Sequence, residues 1–228
     1  MTVTLITGAN KGIGYETARE LVELGHTVYV GARSAERGER AAGELGARFV
    51  QLDVTDDDSV RTALATIEED EGGLDVLVNN AGILDASALD GPTALRSFDT
   101  NAVGIVRVTE AALPLLRRSE SPNVVNVSSS MGSFWAVTNP ERPEFGLPLA
   151  LYAATKAAAT MLTVQYAKAE PAIRFNAVEP GATATDMTAA WGIGRPVAES
   201  TRTVVRLATL GADGPTGTLQ DENGTLPW

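Results

Sequence analysis

The chain has 228 residues, 44% of them apolar, enough to bury one sizeable core and too many for a disordered chain. A net charge of −11 argues against a phosphate-backbone partner, and the absence of cysteine excludes disulfides, thiolate catalysis and cysteine-based zinc sites; no metal site is expected. No apolar run reaches membrane-span length, and Met1–Thr7 reads as a strand rather than a leader, so a cytoplasmic protein without a membrane partner is expected.

The predicted elements alternate. Strand Val3–Thr7 leads through a glycine-rich turn into helix Gly12–Leu24, which stops at Gly25. Strand Thr27–Gly31 follows, then Ser34 as a cap for helix Ala35–Leu45. After strand Arg48–Leu52, Thr55 and the acidic run Asp56–Asp58 open helix Asp56–Glu69. Strand Val76–Asn79, helix Thr93–Arg117 and strand Val124–Ser128 come next. Ser133–Pro148 carries Pro140, Pro143 and Pro148 and is predicted to be a loop. Helix Leu151–Ala169, strand Ile173–Val178 and a helix near Pro196–Leu210 complete the pattern. Nearly continuous Val/Ile/Leu strands between helices predict a parallel sheet covered on both faces, an α/β doubly wound Rossmann architecture. One domain over 1–228 is expected, with a cofactor half at about 1–120 and a catalytic and substrate half at about 121–228.

The turn Thr7-Gly-Ala-Asn-Lys-Gly-Ile-Gly14 sits where strand becomes helix. Gly8 permits the tight turn, Gly12 lets backbone approach a pyrophosphate and Gly14 allows close helix–sheet packing. Asn10, Lys11 and Ile13 stand between these glycines, so the whole turn is a candidate cofactor cradle. The second strand ends in Ala32-Arg33, where an NAD site would place an acid for the ribose hydroxyls. Arg33 and Lys11 instead offer positive charge to a 2′-phosphate, which favours NADP(H) over NAD(H); the alternative is two solvated surface residues. Asp53, with Val54 beside it, is placed to accept from an adenine amino group or to cap the next helix.

Tyr152 and Lys156 lie four residues apart on a predicted helix, hence on one face. One charge at about 4 Å supplies roughly 4 kcal/mol at an effective dielectric of 20, about the cost of bringing a phenol from near 10 to neutrality. The expectation is that Lys156 lowers the Tyr152 pKa. A packed ring beside a solvated lysine is the alternative.

With Thr7–Gly14, Asp53, Asn79-Asn-Ala-Gly82, Asn101, Val124-Val-Asn-Val-Ser-Ser129, Tyr152-Ala-Ala-Thr-Lys156 and Pro180-Gly181 with Thr185, the chain resembles a short-chain dehydrogenase/reductase over essentially its full length. The glycine-turn spelling and a long Ser129-to-Tyr152 stretch resemble the carbonyl-reductase-like members. The resemblance implies a sheet of about seven strands, the seventh near Gly217–Gln220. It implies that Ser129 binds the substrate carbonyl, Tyr152 is the general acid/base, Lys156 tunes it and holds the nicotinamide ribose, and Asn101 holds a relay water. Asn80, Ala81 and Gly82 would lie beside the adenosine ribose, and Pro180, Gly181 and Thr185 would flank the nicotinamide.

The expected activity is NADP(H)-dependent interconversion of a small-molecule carbonyl compound and an alcohol. A non-catalytic NADP(H) sensor and a sugar-nucleotide epimerase or dehydratase are the rivals. Phe134, Trp135 and Phe145 of the proline-rich loop are candidate substrate walls, or rim packing. Trp191, in the segment Met187–Gly194 that replaces a longer lid, is a candidate cover. Glu179 departs from the family, which more often has a small or amide residue there, and predicts altered backbone contacts. A homodimer or homotetramer through the helices bearing Asn101 and Tyr152 is an open expectation, beside a monomer; Ala111, Leu115, Met161 and Leu162 suit that packing and an internal core alike.

Overall fold

The computed structural model describes residues 1–189 and 192–228. Eight strands form one sheet in the order β3-β2-β1-β4-β5-β6-β7-β8 among the described residues. They are β1 Val3–Thr7, β2 Thr27–Ala32, β3 Arg48–Gln51, β4 Val76–Asn79, β5 Asn123–Val127, β6 Arg174–Val178, β7 Thr218–Asp221 and β8 Gly224–Thr225. The first seven pair in parallel, and only β8 returns antiparallel, on β7. The order reverses between β1 and β4, so their carboxyl ends diverge and open a crevice, the position at which doubly wound sheets bind ligands.

Successive strand residues go to opposite faces, and both faces are apolar. Leu5, Leu77, Val124 and Phe175 pack with α3 (Asp57–Glu71), α5 (Gly104–Leu116) and α7 (Ala150–Ala169). Ile6, Val76, Val78 and Val125 pack on the other side with α1 (Gly12–Glu23), α2 (Ala35–Leu45) and α8 (Val197–Ala208). This two-sided burial is why the strands read as unbroken hydrophobic runs. Ser34 caps α2 as predicted; α3 is capped by Asp56, whose carboxylate accepts from the N–H groups of Asp58 and Ser59.

The expected single helix over Thr93–Arg117 is three pieces. Asp90 caps α4 (Gly91–Phe98), a π-helical turn spans Asp99–Val103, and α5 begins at Gly104. A Cβ on Gly104 would lie 3.0 Å from a Val54 methyl, so the helix runs hard against the loop after β3, and the widened turn swings Asn101 inward. The loop 133–148 contains a short helix, α6 (Phe134–Thr138), and a 3-10 turn at Pro143–Gly146. Of the helix-face residues, Leu115 belongs to the core whereas Met161 is exposed. Among the described residues, no helix is long and apolar enough to cross a membrane.

Phe175, fully buried in β6, stacks on Tyr166 of α7 with ring centroids 5.3 Å apart. Phe175→Ala is expected to cost about 3–5 kcal/mol of stability, read as a lower midpoint in urea unfolding.

Candidate active site

A cleft of about 1000 Å³ runs along the carboxyl ends of the strands. Gly8, Asn10, Lys11, Gly12, Ile13, Arg33, Asp53, Val54, Asn80, Ala81 and Gly82 line its first half, and Ser129, Tyr152, Lys156, Pro180, Gly181 and Thr185 its second. Gly14 and Asn101 stand just behind the wall.

The first half is built around Thr7. Its hydroxyl accepts from the N–H groups of Asn80 and Ala81, each at 3.0 Å, while Asn80 Nδ2 donates to the carbonyls of Thr7 (2.9 Å) and Gly8 (3.1 Å). These bonds lock the ends of β1 and β4 together. Gly8 takes φ +65°, and a Cβ there would lie 3.0 Å from Ala81 Cα, so only glycine turns the chain this close to β4. Lys11 precedes α1 without a side-chain cap, which leaves the helix's first N–H groups free for an anion. The residues present therefore fit a dinucleotide pyrophosphate.

Arg33 is exposed at one end of the cleft and makes no ion pair among the described residues. Lys11 reaches across the mouth to Asp186, Nζ to Oδ2 2.6 Å, with both side chains exposed. Asp53 is not the cap of α3; its Oδ1 accepts from the Thr55 N–H (3.0 Å) and hydroxyl (2.7 Å).

In the second half, three consecutive serines leave β5 with different fates. Ser128 is buried, its hydroxyl donating to the Lys156 carbonyl (3.0 Å) and meeting Thr160 Oγ1 at 2.7 Å. Ser130 is buried and offers its N–H to the Glu179 carboxylate. Ser129 is only partly buried, and its hydroxyl faces the cleft, accepting from the Met131 N–H at 3.2 Å. Gly132 brings this turn onto α7: a Cβ there would lie 2.6 Å from the Lys156 carbonyl carbon. Asn101 bonds Ile83 in both directions, each at 2.8 Å, and donates to Thr155 Oγ1 at 3.0 Å, one residue before Lys156.

Lys156 is 5% exposed and donates to the Val127 carbonyl at 2.7 Å; its Nζ stands 5.6 Å from the Tyr152 ring centroid. Burial pulls its pKa down to about 8, against the upward pull of the Glu179 charge. Tyr152 moves the other way from the sequence expectation. Burial, and then the Glu179 charge, push the phenol above its ordinary value, and the Ser129 hydroxyl only partly opposes them. The ammonium is turned to Val127 and over the ring, so desolvation outweighs it.

The aromatic wall predicted from the proline-rich loop is not there. Phe134 is 73% exposed and Phe145 57% exposed, and neither they nor Trp135 line the cleft. Ser133 caps α6 and donates to the Pro227 carbonyl at 2.6 Å, and the Trp135 N–H donates to the Trp228 carbonyl at 2.9 Å, which directs these rings to the rim. The Trp135 ring carries the Arg142 guanidinium at 5.5 Å. Arg142, Pro143, Glu144 and Leu147 take the wall instead, with Glu179 on its floor. Only Glu179 had a sequence signal, as an acid beside Pro-Gly; the other four carry none. Trp191 lies outside the described residues.

A glycine turn at the switch point of a parallel sheet, facing a serine, a tyrosine and a buried lysine, defines a dinucleotide-binding oxidoreductase domain. The family model described as short chain dehydrogenase matches residues 2–195, and the chain belongs to that family. It is 32% identical to (-)-isopiperitenone reductase of Mentha piperita, over 93% of this chain and 94% of the relative. The solved salutaridine reductase of Papaver somniferum superposes with a TM-score of 0.85 at 28% identity, covering 96% of this chain and 99% of that one. An NADPH-bound carbonyl reductase from chicken fatty liver gives 0.85 at 25% identity, with both chains fully covered.

The folded protein releases the Lys156 proton before the unfolded chain does, so Lys156 weakens the fold below about pH 8 and the penalty fades as pH rises. Between about pH 7.5 and about pH 9.5, urea unfolding should show roughly 2 kcal/mol of gain that Lys156→Met lacks.

Proposed function

We propose that this short-chain dehydrogenase is an NADP(H)-dependent reductase that converts a small-molecule carbonyl compound to its alcohol. The observation that carries this is the single cleft that joins the uncapped, glycine-built start of α1 to Ser129, Tyr152 and Lys156. The names of its relatives, several of them reductases, and of NADPH-bound structural neighbours support it.

A nicotinamide held beside Pro180, Gly181 and Thr185 would supply the hydride for the carbonyl carbon. Ser129 donates to the carbonyl oxygen and holds it as negative charge develops there. Tyr152 gives its phenolic proton to the same oxygen. A phenol held above its ordinary pKa keeps that proton in the resting site, which suits a donor better than a base. Lys156, half-released from its proton near pH 8, holds the ribose hydroxyls and helps restore the proton to Tyr152. Asn101, in its π turn beside Thr155, orients a water on the same path. Asn80, Ala81 and Gly82 would hold the adenosine ribose, Pro180, Gly181 and Thr185 the nicotinamide, and Asp53 and Val54 the adenine. Arg33, free of any ion pair among the described residues, takes the 2′-phosphate with Lys11.

Tyr152→Phe should still bind NADPH, followed by its fluorescence, and lose at least about a hundredfold in turnover across aldehydes, ketones and quinones. Near-normal turnover would remove Tyr152 from the mechanism. Arg33→Ala should raise the KM for NADPH by about tenfold while changing that for NADH little. Equal losses for the two cofactors would defeat the 2′-phosphate assignment.

A further inference from the structure

No step of the proposed reaction uses Glu179, yet it occupies the floor of the cleft with Ser129, Tyr152 and Lys156. It is the first residue after β6, and its own N–H donates to Gln220 of β7 at 2.8 Å, which fixes its backbone. Its carboxylate crosses back over the sheet edge. Oε2 accepts from the Ser130 N–H and Oε1 from the Gly181 N–H at 2.7 Å. The two oxygens thus tie the turn that presents Ser129 to the loop that carries Pro180 and Gly181.

Among the described residues no cation pairs directly with this carboxylate, and the cations within its field are Lys156 and Arg142. Arg142, from the loop before α7, is occupied by both oxygens of Glu144. Arg195, which closes over Gly181 and donates to the Pro180 carbonyl at 2.8 Å, is paired with Glu222. Asp221 adds a further negative charge near Arg142. From α7, Tyr152 and Lys156 both lie within the field of Glu179, which opposes ionisation of the phenol and favours the ammonium. Burial raises the Glu179 pKa itself, with Glu144 adding to the rise, while the two N–H groups and the Ser129 hydroxyl hold the carboxylate form.

We infer that Glu179 is a positioning residue for carbonyl reduction: its carboxylate clamps the serine turn to the loop after β6 and keeps a negative charge beside Tyr152 and Lys156, so that the phenol gives up its proton only to a developing alkoxide. The inference rests on the reductase function above. Glu179 then sets the pH at which alcohol oxidation begins, because oxidation needs the phenolate that this charge disfavours.

The test compares wild type, Glu179→Gln and Glu179→Asp. In each, the pH profile of kcat/KM is measured for carbonyl reduction and for oxidation of the product alcohol. Gln removes the charge and turns an amide against one of the two N–H groups; Asp keeps the charge and shortens the reach. For Glu179→Gln the rise of oxidation with pH should move down by roughly one unit, and the fall of reduction at high pH should move down with it. Glu179→Asp should keep the wild-type profile with a lower kcat in both directions. Urea unfolding against pH gives a second readout that needs no turnover: the Lys156 contribution should set in at lower pH in Glu179→Gln than in wild type. An active Glu179→Gln enzyme with the wild-type profile overturns the inference, as does a Glu179→Asp profile displaced as far as that of Gln. If Glu179→Gln does not fold, Glu179→Asp decides, and an unchanged kcat or a displaced profile counts against the inference. Failure of the reductase function itself looks different. Wild type would then bind NADPH and reduce nothing on the panel, while the shift in the unfolding profile stood.

Discussion

The site depends on keeping the Lys156 ammonium out of water. Removing a lysine charge from solvent costs several kcal/mol, and the protein offsets only part of that cost, through the Val127 carbonyl at 2.7 Å and the field of Glu179. The price is recovered in placement. Ser128 bonds the Lys156 carbonyl, and Gly132 lets the serine turn touch the same peptide, so one residue of α7 is held from the end of β5 by three contacts. Once Lys156 is fixed, Tyr152 is fixed one helical turn away, and Ser129 faces it from the turn that Gly132 presses down. The serine, the tyrosine and the lysine are therefore consequences of a single docking of α7 on β5.

The same burial explains why proximity to a lysine does not by itself make a tyrosine acidic. One favourable charge at about 4 Å would be enough to bring a solvated phenol towards neutrality. In the fold the phenol is desolvated, the ammonium is turned to a backbone carbonyl, and an acid stands nearer the balance than the spacing implied. The resting site holds both protons: one tightly on Tyr152, one loosely on Lys156. On the proposed reductase reading, such an arrangement suits giving a proton to a newly formed alkoxide more than taking one from an alcohol.

Most of the scaffold was legible because two-sided burial writes itself into strands. Leu5 and Ile6, or Leu77 and Val78, face opposite helical layers and are both apolar, so the runs could be counted. The glycine turn was legible because Gly8 and Gly14 stand where a Cβ would strike neighbouring backbone, a demand that leaves little choice of residue. The break in the Thr93–Arg117 helix was not legible. A π turn has no periodicity of its own, and the close packing of Gly104 on Val54 joins residues that are far apart in sequence. β8 escaped for a different reason, since two paired residues are too few to alternate.

Of the two readings open for Phe134, Trp135 and Phe145, cleft wall or rim packing, the rim holds, because the loop's orientation is set from outside it. The Ser133 hydroxyl and Trp135 N–H are claimed by the carbonyls of Pro227 and Trp228, more than ninety residues away. That anchoring rotates Phe134 and Trp135 to the rim and carries Arg142, Pro143, Glu144 and Leu147 over the cleft. Arg142 is then neutralised by Glu144 and braced by the Trp135 ring, so the displaced aromatic still shapes the wall, one layer back. Ser129, Tyr152 and Lys156 are constrained by local geometry around one turn and one helix. The cleft wall is set by which distant backbone groups hold its loop, and composition carries no record of that.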